Sequence, residues 1–214
     1  MKKWKKCLVA TVLLASFVSG RMTVSAATNM EQAQDIKVFV GVTSENNSGA
    51  RSSLKNERMQ LIESLAENSP QEEELAVITF SEYLTAEEAD AYVSNLGECE
   101  VREVFLGIPG VDGRAIIGCI EADTIVGNIA SNFEKMIESE TNLEMREVLL
   151  DYQNDAQVFA LTVLTTNAQI LEASQMEQVT FVDVFNDPDA EAEAISRNAK
   201  VSYIAVPEKP DNTH

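Results

Sequence analysis

Apolar positions along the chain switch repeatedly between the spacing of a strand and that of a helix, and the switches divide it into short elements. Ile36 to Thr43, with Val38, Phe39, Val40 and Val42, is a β-branched and aromatic run that predicts a strand. After a polar loop at 44–51, Leu54, Leu61, Ile62 and Leu65 form an incomplete apolar stripe, predicting a helix over 52–67 that ends at Ser69-Pro70. The acidic run Glu72-Glu73-Glu74 reads as a solvated edge and introduces a short strand at Leu75 to Phe80. Thr85 and Glu88 have the spacing of a capping box, and Gly97 stands where a left-handed cap is wanted, so 86–96 is predicted helical. Residues 99–106 and 114–120 read as two strands around the turn-rich Gly107 to Gly113.

Beyond this hairpin, Ile125, Val126, Ile129, Phe133, Met136 and Ile137 repeat at helical spacing and predict a helix over 124–139. Thr141 with Glu144 suggests a second capping box opening a helix to Tyr152, and Val158 to Thr165 reads as a strand. A helix at 168–175, a strand at 178–185, a helix at 188–198 and a strand at 201–206 complete the pattern. Asp187 as cap, Pro188 at the first helical position, and Asp189 and Glu191 in the first turn specify the last helix start. The order over 75–165 is strand, helix, strand, strand, helix, strand. It predicts an α+β fold with a ferredoxin-like, split βαβ core. The expected organisation is therefore a strand-helix extension at 36–74, the core at 75–165, an αβαβ extension at 166–206 and a polar tail at 207–214.

The opening adds a compartment. Lys2, Lys3, Lys5 and Lys6 precede an apolar and small run from Leu8 to Val18, and Val24-Ser25-Ala26-Ala27 supplies small residues for cleavage. That is the pattern of an export signal at 1–27, followed by a flexible lead-in at 28–35. The apolar run is shorter than the roughly 20 residues a spanning helix needs, which disfavours the alternative of an uncleaved membrane anchor. Secretion or association with the cell envelope is the expected outcome, and the style of the leader is bacterial.

Five of the 16 basic residues lie in this leader and none of the 35 acidic ones does, leaving 11 basic against 35 acidic residues, a formal charge of −24. Nucleic acid and anionic lipid are poor partners for such a chain. Cys99 and Cys119 alone remain after the leader, and in an exported chain such a pair is expected to form a disulfide. Antiparallel pairing that sets Cys99 opposite Cys119 also sets Val101 opposite Ile117 and places Cys99, Val101 and Phe105 on one side. The bridge would close a loop of about 20 residues and add about 3 kcal/mol by chain entropy. Two buried reduced thiols are the other reading.

Catalytic motifs are missing. The sole histidine, His214, is the last residue of the sequence and lacks the neighbours on both sides that hold a general base in place. No CxxC, GxSxG, HExxH or phosphate-binding glycine loop occurs. Ser52 and Lys55 have S-x-x-K spacing, but the K-T-G partner motif of penicillin-recognising enzymes is absent. Carbohydrate clefts usually use aromatic platforms, yet Trp4 lies in the leader, and Tyr83 and Tyr92 flank a predicted helix where packing explains them. The run Asn186 to Glu193 has alternating oxygen side chains like the start of a calcium loop. Ala192 stands where that loop needs glycine and Asn198 where it needs a bidentate Glu, so helix initiation accounts for these acids. No catalytic, metal or cofactor site is assigned, and the chain is read as a non-enzyme.

Val158 to Val163, Thr165-Thr166, Ile170-Leu171 and Val179 to Val184 together resemble a β-α-β segment of the extracytoplasmic C-terminal domain of sigma-factor regulators from Gram-positive bacteria. The resemblance covers about residues 158–185 and implies an exported sensing or regulatory role. Such regulators are membrane-anchored and carry a cytoplasmic sigma-binding part, which a chain with a cleaved leader would not retain. The expected function is non-catalytic binding of a protein or cell-envelope component. Fold analogy offers a protease inhibitor or propeptide-like folding assistant as one alternative, and the abundance of acids offers a carboxylate-only hydrolase as another.

Overall fold

The computed structural model describes residues 35–41, 48–119 and 124–210. The expected export signal at 1–27, the expected lead-in through residue 34, the loop at 42–47 and His214 lie outside the described residues. Seven strands are present among them: β1 (Ile36–Val40), β2 (Glu73–Leu84), β3 (Cys99–Gly107), β4 (Ala115–Gly118), β5 (Gln157–Thr166), β6 (Val179–Val184) and β7 (Val201–Ala205). Six helices alternate with them: α1 (Ser48–Asn68), α2 (Ala86–Leu96), α3 (Ile125–Ser139), α4 (Leu143–Asp155), α5 (Asn167–Ser174) and α6 (Pro188–Arg197). The fold is mixed helix and strand, of α+β type.

Five strands form an antiparallel sheet in the order β4-β3-β5-β2-β6, while β1 and β7 make a separate parallel pair. A split βαβ unit is present: β2, α2 and β3 leave a gap between the two strands. A ferredoxin-like arrangement fills such a gap with the second hairpin strand, here β4, but β5 occupies it instead. Burial explains the choice. Val158 to Val163 of β5 is buried without a break, as a central strand must be, whereas β4 has four residues with Ile116 exposed and suits an edge.

The two faces of this sheet are covered differently. On one, α1 to α5 bring Ile62, Tyr92, Phe133, Leu149 and Ile170 onto Ile78, Phe80, Val104, Leu106, Leu161 and Val182. Phe80 and Tyr92 meet edge to face with ring centroids 5.0 Å apart. On the other face, Val77 meets Val38 and Val40 of β1, while Phe105, Phe159 and Ala160 meet Tyr83 and Ala205. This second cover consists of the β1–β7 pair, α6 packed beside it through Ala190, and the chain that leaves β7.

Local chemistry refines several boundaries. Thr85 and Glu88 form the expected capping box at α2. At α4 the cap is Asn142, not Thr141, because the Asn142 side-chain Oδ1 accepts from the amides of both Glu144 and Met145. Asp187 caps α6 with Pro188 in its first turn, and Asn198 closes that helix in the left-handed conformation. Gly97 has a positive φ of 93° but a ψ of −139°, outside the left-handed cap expected there. Among the described residues, no helix is long and apolar enough to cross a membrane.

Candidate functional site

Cys99 and Cys119, the one residue pair singled out from the sequence, are both free thiols. The hairpin pairs Glu103 with Gly118, Val104 with Ile117 and Leu106 with Ala115, and the Cys119 amide donates to the carbonyl of Arg102. The register in which Cys99 faces Cys119 is thus displaced by three residues, and Cys99 lies beside Thr165 of β5. Three residues of strand span about 10 Å, whereas bridged Cα atoms stand roughly 4.4–6.8 Å apart. An irregularity of β3 against β5, between Val101 and Glu103, also breaks the period-two count of faces. Cys99 and Val101 therefore share the helix-covered face with Val104 and Leu106, and Phe105 points to the opposite one. Burial pushes both thiols up to about 11, with Asp90 and Glu103 adding to the effect at Cys119, so neither is a ready nucleophile near neutral pH.

A polar cluster that sequence reasoning did not find lies where β6 ends. Asp183 and Arg58 are both buried. The Arg58 Nε lies 3.2 Å from the Asp183 carboxylate, close enough for a charge pair but without hydrogen-bond alignment. Its Nη1 donates to the carbonyl of Asn186 at 3.0 Å, and Nη2 stands 3.6 Å from Asp187. Asp183 accepts from the Gly41 amide at 2.8 Å and from the Val184 amide at 2.9 Å. The Tyr203 hydroxyl accepts from the Asp187 amide and donates to Glu191.

Burial raises the pKa of Asp183 despite the opposing pull of Arg58 and two amides. Burial likewise raises that of Glu74, against a hydrogen bond from Asn186, so Glu74 departs from the solvated edge expected of Glu72 to Glu74. Both Asp183 oxygens are engaged by amides or the guanidinium, which suits a clasp joining β1, α1 and β6 better than a general base. The signal for this cluster was one charge inside the apolar run Val179 to Val184. Nothing local identified Arg58, 125 positions earlier, as its partner.

Other sequence candidates have structural duties. Lys55 of the S-x-x-K spacing donates to the Thr180 carbonyl and lies 5.7 Å from the Phe181 ring centre. Asp187 of the calcium-like run accepts from the Ala190 amide as a helix cap. Among the described residues, no group of three or more His, Cys, Asp or Glu side chains is arranged to hold a metal ion.

Two further features stand out on the thinner cover. Phe39 of β1 and Ile204 of β7 are paired in register and are 56% and 37% exposed. Behind them, residues 206–210 lie along the body without regular structure, yet none is exposed and Pro207 is buried. No protein-family model, curated protein or solved structure matches this chain.

Proposed function

We propose that the chain is an exported, non-catalytic binding module whose partner, a protein or cell-envelope component, docks on the outer face of the β1–β7 pair. The observation that carries this reading is the side-by-side exposure of Phe39 and Ile204. Two large apolar side chains adjacent on a short sheet make a small hydrophobic anchor, and the outer backbone edges of the two strands can add directional hydrogen bonds. The acidic balance favours a neutral or basic partner surface over nucleic acid. The leader pattern supports action outside the cytoplasm, and the resemblance of 158–185 to sigma-factor regulators favours sensing or regulation.

Affinity capture from the native envelope tests the proposal, using the wild-type chain beside a Phe39→Ser, Ile204→Ser double variant at several salt concentrations. The expected result is a specific partner retained by wild type and reduced at least tenfold by the double variant. Equal recovery by both, or no specific partner with wild type, would contradict it.

A further inference from the structure

Residues 206–210 leave β7 and remain against the body over their whole described length, none of them exposed although they form no helix or strand. Each hold on this strap is specific. The Val206 amide donates to the Val40 carbonyl at 2.7 Å, and Arg114 Nη1 donates to the Pro207 carbonyl at 3.2 Å. The Lys209 ammonium donates to two carbonyls of the β3–β4 loop, those of Val111 and Gly113, each at 2.8 Å. Burial and Arg114 lower the Lys209 pKa while Asp112 raises it, placing the amine among both signs of charge.

Two glycines open the path. A Cβ on Gly41 would lie 3.3 Å from the Pro207 Cα, and one on Gly107 would lie 3.1 Å from the Lys209 Cδ and 3.2 Å from the Tyr83 ring. The strap thus runs through a channel that ordinary side chains would narrow, with an aromatic wall at Tyr83 and a carbonyl cage at its far end. Two of these four hydrogen bonds use backbone groups of the strap, and the other two its lysine ammonium. Only the buried proline and the caged lysine read side chains, so any extended segment with lysine two residues after proline can make the same set.

We propose that this channel is a peptide-binding groove, that the strap is its built-in pseudo-ligand, and that the external occupant is an extended Pro-x-Lys segment of a partner protein. The strap is tethered one residue beyond β7, so its effective concentration is high and an external segment must displace it. This groove is distinct from the Phe39 and Ile204 face, and its failure would leave that face untouched.

The test uses the full chain and a fluorescent synthetic peptide, Ala-Val-Pro-Glu-Lys-Pro, matching residues 205–210. Lys209→Ala in the protein weakens the strap, so the peptide is expected to bind this variant about tenfold more tightly than wild type, the scale of charge-assisted hydrogen bonds. Replacing lysine by alanine in the peptide should weaken binding to the variant by at least about tenfold. Equal binding of the two peptides, or no binding at millimolar concentration, would overturn the proposal. A second reading on the wild-type chain does not depend on the variant folding: excess peptide should speed hydrogen exchange at Val206, whose amide loses the Val40 carbonyl when the strap leaves. Unchanged exchange with peptide in excess would equally overturn it.

Discussion

The two faces of the central sheet differ in what covers them. The helical face is mainly apolar, with Phe80, Tyr92, Phe133 and Ile170 packed among aliphatic side chains from five helices and the sheet, and its buried Asn128, Thr165 and Asn167 each hydrogen-bond to a backbone carbonyl. The opposite face holds Asp183, Thr79 and Thr162, all buried, under a cover of two short strands, α6 and a strap. Thr162 donates to Glu103, whereas the Thr79 hydroxyl has no protein partner. Apolar burial is non-directional and tolerant, while buried polar groups must each be matched or they oppose folding. The first face thus carries most of the apolar core, and the second specifies where a thin layer sits.

The sharpest break in this comparison is Phe133→Ala on the helical face. It should lower unfolding free energy in urea by about 3–5 kcal/mol, the usual range for a large buried aromatic. Arg58→Met should lower it by about 3 kcal/mol at pH 7, because the buried Asp183 loses its cationic partner. A loss below about 0.5 kcal/mol, well short of that range, would mean that Arg58 is not the clasp described.

Acidity separates the faces further. The raised folded pKa of Asp183 means that its contribution to stability is fully present below its unfolded value, about 3.9, and is lost as pH rises through the folded value. Glu74 acts in the same direction. Wild type should therefore gain stability over Asp183→Asn as pH falls from 7 toward 4 in parallel urea titrations, and a gain on raising pH would reverse the assignment. Phe133→Ala relative to wild type should show little pH trend. The smallest global effect is expected from Gly107→Ala, under about 1 kcal/mol, because the new methyl meets the flexible end of Lys209 and the edge of Tyr83. Its clear signature should be faster hydrogen exchange at Val206.

The elements were legible because local signals agree with burial: the box at Thr85, the cap at Asp187 and the run Val158 to Val163 each report on their own neighbourhood. Sheet order was not, since periodicity cannot say that β5 rather than β4 enters between β2 and β3. The thiol register failed for a similar reason, because alternation does not fix which residue of β4 faces Glu103, and an irregularity near Arg102 further reverses the face of the earlier positions in β3. The polar cluster was half visible in Asp183, while nothing near Arg58 in the sequence marks it as the partner. The strap resembled a polar tail, and only its lack of exposure distinguishes it.

Native-state hydrogen exchange tests the division between the two faces most directly. The Val206 amide should open at a free energy several kcal/mol below the amides of Ile78 and Leu161 in the central strands, without global unfolding. Protection at Val206 equal to that of Ile78 and Leu161 would contradict the account, because the cover would then open only when the whole domain unfolds.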